Sequence, residues 1–191
     1  MSTSRKKIYI LMVRYPGAMA DWMVRHTGFD YTHVTIGLEE DLNTFYSFFK
    51  KGFFIEKITR YRKPGREPFP CILFEVDVSK KEYRRVKKLL LAYAARKKFL
   101  RYTNRSLVTC FLGIPWKIPD HYFCSEFVAE VIQKTGIAYL PKHCALVLPH
   151  DIYKLPELKL IFTGNVYTMA EHYGLKDGRL NPMRLAAPVA E

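Results

Sequence analysis

Cys124 and His33 lie some ninety residues apart and have the chemistry of a nucleophile and a base. Cys124 opens the run Cys124-Ser125-Glu126-Phe127-Val128-Ala129-Glu130-Val131-Ile132, in which Cys124, Phe127, Val128, Val131 and Ile132 repeat at i, i+3, i+4, i+7 and i+8. That spacing is one apolar face of a helix. Pro119 and Asp120 are start signals just upstream, and Gly136 is the stop. The thiol is therefore expected on the core side of the first turn, beside unpaired backbone N–H groups and the positive end of the helix dipole. Both would lower its pKa and favour the thiolate. The competing reading is a cysteine that only fills the core as a small hydrophobe.

His33 belongs to Tyr31-Thr32-His33-Val34-Thr35-Ile36-Gly37-Leu38, a β-branched, nearly alternating segment that reads as a strand. Glu39 to Asn43 would be the turn and Thr44 to Phe49 the returning strand. A histidine at a strand end that faces the cysteine helix could take the thiol proton as general base. A productive pair requires the sulfur and an imidazole nitrogen to lie within roughly 3 to 4.5 Å. Counting back across a turn centred on Glu40-Asp41 puts Phe48 or Ser47 opposite His33. Of these only Ser47 can accept a hydrogen bond from the imidazole, so it is the candidate orienting group.

A histidine in a strand–turn–strand unit, followed far downstream by a Phe-Cys-Ser-Glu-Phe-Val helix, resembles the circularly permuted branch of the NlpC-type papain-like cysteine hydrolases. That branch includes the YiiX-like amidases and is related to lecithin:retinol acyltransferase. The likeness covers roughly residues 5–163 and is strongest at Tyr31 to Ile36, Tyr46 to Phe48 and Tyr122 to Glu130. It implies a papain-like fold in permuted order, with His33 as base and Cys124 as nucleophile. Many members carry Glu, His or Gln on the strand after the turn, where this chain has Tyr46 and Ser47.

The elements that would position these residues alternate between strands and helices. Strands are expected over residues 7–14, 32–38, 44–49, 53–58, 71–78 and 158–163. Helices are expected over 16–26, from Ser79 to about Leu100, from the cysteine to Gly136, at Pro149 and over 165–173. Ser79 with Glu82 three residues on makes a capping box. Pro64, Pro68 and Pro70 make residues 62–70 a loop, the approach to the cysteine helix reads as irregular, and residues 175–191 read as a tail. Separated strands and helices point to an α+β fold, a small antiparallel sheet packed against helices in one domain spanning residues 1–191.

With 191 residues and 49% hydrophobic side chains the chain can bury a sizeable core, which excludes disorder. Cys71, Cys110, Cys124 and Cys144 have neither the pairing nor the histidine spacing of a zinc site. Neither metal nor cofactor is expected, and reduced thiols fit a cytoplasmic setting. The N-terminal apolar run, Ile8 to Val13, is too short for a secretory leader.

Charge is unevenly spread. Residues 50–105 carry 18 Lys/Arg against 5 Asp/Glu, an excess equal to the net charge of +13 for the whole chain. Nine of these bases lie between Lys80 and Lys98, around an apolar stripe. They are either the solvated face of an amphipathic helix or a surface for an anionic partner such as a membrane. No zinc finger or RNP-type strand supports nucleic acid as that partner.

Together these features lead to the expectation of a thiol hydrolase or acyltransferase acting on an amide or ester, with a cell-wall peptide or a lipid as substrate. The rival is a binding module that keeps the cleft and uses a basic face for anionic lipid or another polyanion.

Overall fold

An unbroken apolar run such as Ile8-Tyr9-Ile10-Leu11-Met12-Val13 suits a strand covered on both faces, and this one is the centre of the sheet. In the computed structural model, which describes residues 5–39, 41–61 and 68–175, strand β1 (Lys6–Val13) is buried from Ile8 onward. It pairs antiparallel with β2 (His33–Leu38) on one side and β5 (Pro70–Val78) on the other. Strands β3 (Thr44–Phe49), β4 (Gly52–Lys57) and β8 (Lys159–Asn165) complete a six-stranded antiparallel sheet of order β4-β3-β2-β1-β5-β8. The fold is α+β.

Side-chain alternation divides the core into two layers. Ile8, Ile10 and Met12, with Val34, Ile36 and Leu38, face the layer formed by helices α2 (Lys80–Ala95) and α4 (Cys124–Thr135). Tyr9, Leu11 and Val13 face the opposite layer, closed by helix α6 (Val166–His172) and a 3₁₀ turn at Ile58–Tyr61. Phe45, Phe48, Phe123 and Phe127 are all 1% exposed or less. Each such ring contributes roughly 1.5–3 kcal/mol of transfer free energy.

Local signals set several boundaries. Ser79 and Glu82 form the reciprocal capping box of α2. Gly136 takes a left-handed φ of 75° and its N–H bonds the Ile132 carbonyl, which ends α4. Gly52, at φ 98°, turns β3 into β4, and a Cβ there would meet the Leu100 carbonyl oxygen at 2.3 Å. Only glycine allows the two segments to touch so closely.

Two expectations need correction. Helix α2 stops at Ala95, short of Leu100. The approach to the cysteine helix, expected to be irregular, contains β6 (Arg101–Tyr102), α3 (Asn104–Phe111) and β7 (His121–Tyr122), with β6 and β7 paired in parallel. These elements are too short for periodicity to reveal, and tertiary contacts hold them. Thr103 caps α3 by accepting from the Ser106 N–H at 3.3 Å, and Arg101 N bonds Asp120 O at 2.8 Å. Helix α1 (Ala18–Thr27) and helix α5 (Pro149–Tyr153) lie where expected. Most of the 62–70 loop and the tail from residue 176 lie outside the described residues. Among the described residues no helix is long and apolar enough to cross a membrane.

Candidate active site

Cys124 is the first residue of α4, but Pro119 and Asp120 do not start that helix. Asp120 sits in a turn at φ 58° with its carboxylate on Arg96, β7 follows, and Phe123 is the N-cap without a side-chain cap bond. The N-terminal N–H groups of α4 therefore remain available to the sulfur. Those of Cys124 and Ser125, with that of Val34 from β2, favour its thiolate. Burial is the larger effect and pushes the thiol pKa up, reversing the expected fall. The thiol donates to the Thr32 carbonyl oxygen across 3.9 Å.

The sulfur thus lies against the backbone on either side of His33. Both residues line one cavity of about 390 Å³, together with Tyr15, Phe48, Phe49 and Tyr102. The imidazole forms no hydrogen bond among the described residues. It is held by aromatic rings, with Tyr15 at 5.2 Å and Phe49 edge-on at 5.7 Å between centroids. Burial lowers its pKa to about 3, so the ring is neutral at pH 7. At rest both groups are uncharged, and among the described residues no hydrogen bond joins the sulfur to the imidazole: His33 lies on the strand face opposite Val34, turned toward Tyr15 and Phe49.

Strand register explains why Ser47 does not orient His33. The pairs Ile36–Tyr46 and Gly37–Phe45, carried back along the strands, place Phe49 opposite His33. The sequence count was one residue short for Phe48 and two for Ser47, so Ser47 stands opposite Thr35, two residues along from the partner of His33. The Ser47 hydroxyl instead donates to the Val34 carbonyl at 2.7 Å. Ser47→Ala should therefore cost about 1 kcal/mol in denaturant unfolding and less than tenfold in turnover. A larger loss of turnover at unchanged stability would return Ser47 to the chemistry.

His33 also borders a second cavity, of about 610 Å³, on the side away from Cys124's layer. Its buried feature is Glu56 of β4, 1% exposed. The Tyr15 and Tyr61 hydroxyls both donate to Glu56 Oε1, and those hydroxyls are 2.6 Å apart. Glu56 Oε2 has no partner among the described residues. Burial raises the Glu56 pKa against the two tyrosine hydrogen bonds. The Glu56 carboxyl thus fixes the Tyr15 ring that packs on His33. Sequence reading missed this group, although a lone carboxylate inside the apolar run Phe53-Phe54-Ile55-Glu56 was a usable signal.

Other titratable side chains have structural roles. His121 Nδ1 contacts the Pro119 carbonyl oxygen at 2.8 Å, and Asp151 caps α5 by accepting from Leu148 N at 2.9 Å. Glu126, in the first turn of α4, is pushed up to about 7 by burial, with the Lys117 charge opposing. Glu130 accepts from Tyr93 at 2.6 Å and pairs with Lys117 and Lys134, tying α4 to α2 and to the loop before β7. Among the described residues no cluster of three His, Cys, Asp or Glu side chains could hold a metal ion.

The neutral resting pair has a measurable consequence. Iodoacetamide labelling of Cys124, read by peptide mass mapping, should rise continuously from pH 7 to pH 9.5, because the thiolate fraction grows throughout. A rate already level below pH 7 would mean a preformed thiolate–imidazolium pair. Cys71 and Cys110, both buried and pushed up to about 12, should label far more slowly.

No family model matches the chain, and no curated protein matches it.

Proposed function

We propose that the chain is a thiol hydrolase or acyltransferase acting on an amide or ester, with Cys124 as nucleophile and His33 as base. The observation that carries this reading is that both residues line one cavity, at a helix start and a strand start, from segments distant in sequence. Neutral His33 accepts the thiol proton as sulfur attacks the substrate carbonyl carbon. The Cys124 backbone N–H, unused by the helix, faces the developing oxyanion. His33 then returns its proton to the leaving amine or alcohol as the carbon–heteroatom bond breaks, leaving a thioester on Cys124. Water or another acceptor resolves it. The aromatic cavity walls suit an apolar acyl group, from a lipid or from a peptide side chain.

An acid-quenched reaction with p-nitrophenyl acetate tests this reading. Intact-mass analysis should find one acetyl group, and peptide mapping should place it on Cys124. Acylation spread over surface lysines, with Cys124 unmodified, would refute it.

A second reading is a binding module with a basic face. Its support is that among the described residues no hydrogen bond orients His33, together with the basic side chains of α2, of which Lys80, Lys81, Arg84, Arg85 and Lys88 are exposed. It takes precedence if no acyl group is trapped.

A further inference from the structure

Helices α1 and α3 lie side by side and turn apolar side chains outward. Trp22 of α1 packs edge-on against Phe111 of α3 at 4.4 Å between centroids, yet remains 38% exposed. Met19 is 47% exposed and Val108 53%, and both line the shallow groove between the helices. The chain leaving α3 extends this apolar surface as Leu112-Gly113-Ile114-Pro115-Trp116, five successive exposed residues without a charge. Leu112 is 68% exposed, Ile114 51% and Trp116 48%. The loop is ordered by its own backbone: Gly113 N bonds Cys110 O at 3.0 Å, Ile114 N bonds Thr109 O at 2.9 Å, and Trp116 N bonds Ile114 O at 2.8 Å. These bonds hold the apolar side chains outside the core.

A run of this kind on a chain with a large core has a cost in water, so it marks a contact surface. Its composition identifies the partner. Two tryptophans among aliphatic side chains suit the boundary between lipid headgroups and acyl chains, where an indole can bury its ring and keep its N–H wet. Exposed Arg25 on α1 and Arg105 on α3 belong to the same two helices, and the chain carries a net charge of +13, which complements anionic headgroups. Ala18, Met19 and Ala20 at the start of α1 also line the Cys124 cavity, so the surface adjoins the mouth of the cleft.

We propose that the α1–α3 ridge and the Leu112–Trp116 loop form a docking surface for the interfacial zone of an anionic lipid bilayer. Apolar insertion by the loop supplies the short-range contact, and the basic charge supplies the long-range attraction. The proposal concerns binding alone and does not depend on the chemistry at Cys124.

The test is sedimentation of the full chain with vesicles of phosphatidylcholine and phosphatidylglycerol in a three-to-one ratio, compared with phosphatidylcholine alone. The anionic vesicles should bind more protein, and Leu112→Ser/Ile114→Ser/Trp116→Ser should weaken that binding at least tenfold while circular dichroism and melting temperature stay unchanged. In Trp22→Phe, which leaves Trp116 as the only indole, emission should shift to the blue on binding and be quenched by brominated acyl chains. Equal binding of the triple variant would assign attachment to the basic face of α2 and overturn the proposal, as would no binding in low salt. A dimer in gel filtration that the triple variant dissolves would also overturn it, because a second copy would then cover the surface.

Discussion

Replacing Cys124 by serine is expected to lower hydrolysis of p-nitrophenyl acetate by at least about 10³-fold, because under the proposed function a nucleophile and its base act as one unit. The hydroxyl has nearly the size of the thiol but is a far weaker acid. With the neutral His33 proposed as its base, the alkoxide is out of reach at neutral pH. His33→Gln should cause a loss of similar order by removing the base, and the double variant should be little worse than either single one. Non-additivity is the informative result, since two residues lost from unrelated sites would multiply their effects. Cys124 is buried against Thr32 and Val34, so unchanged circular dichroism and melting temperature must accompany the loss. Residual hydrolysis in Cys124→Ser equal to that of the parent chain would end the nucleophile assignment.

The second large effect is on stability in acid. The folded-state pKa of His33 is about 3, against 6.5 for an unperturbed histidine. Between these values the unfolded chain binds a proton that the folded chain refuses, so stability falls as the pH drops. The slope approaches about 1.4 kcal/mol per pH unit, or roughly 2–3 kcal/mol between pH 6.5 and pH 4.5. Well above pH 6.5 both states hold a neutral ring and the effect vanishes. Glu56 and Glu126, whose burial raises their pKa, act in the opposite sense: they gain protons in the folded state and regain stability as the pH falls. The parent chain alone therefore mixes these contributions, and a comparison with His33→Gln isolates the histidine. Urea unfolding should show the variant gaining about 2 kcal/mol relative to the parent between pH 7 and pH 4.5. A stability difference that does not change with pH would mean that His33 is solvated in the folded state.

The two predictions are coupled. The burial that keeps His33 neutral at pH 7 also lowers its proton affinity, so the ring is costly to protonate in acid and in any transfer from the thiol. Glu56 is part of the same arrangement, since it holds the Tyr15 ring that covers one side of the imidazole. In place of a hydrogen-bonded third polar group, His33 is held by packing against Tyr15 and Phe49.

The signals legible in the sequence were those that act over a few residues. Alternation marked β2 and β5, an unbroken apolar run marked β1, the reciprocal bonds of Ser79 and Glu82 marked the start of α2, and the left-handed glycine at 136 marked the end of α4. Each depends on steric or hydrogen-bonding constraints within one element, so residue type alone carries the information. The two residues proposed for the chemistry were legible for the same reason, as a cysteine at a helix start and a histidine at a strand start.

The surroundings of those residues depended on distance in space. The β2–β3 register differed from a count across the turn by one or two residues, and that shift placed Phe49 rather than Phe48 or Ser47 opposite His33. The thiol pKa rises although it sits at a helix N-terminus, because desolvation by the packed core outweighs three favourable N–H groups. Glu56 meets Tyr15 only because β4 and the segment after β1 converge at one end of the sheet. The outward turn of Leu112 to Trp116 was equally hidden, since an apolar run reads alike whether it is buried or exposed. Local propensity specifies which elements form, whereas burial and register, which set the electrostatics of a site, arise only when the elements pack.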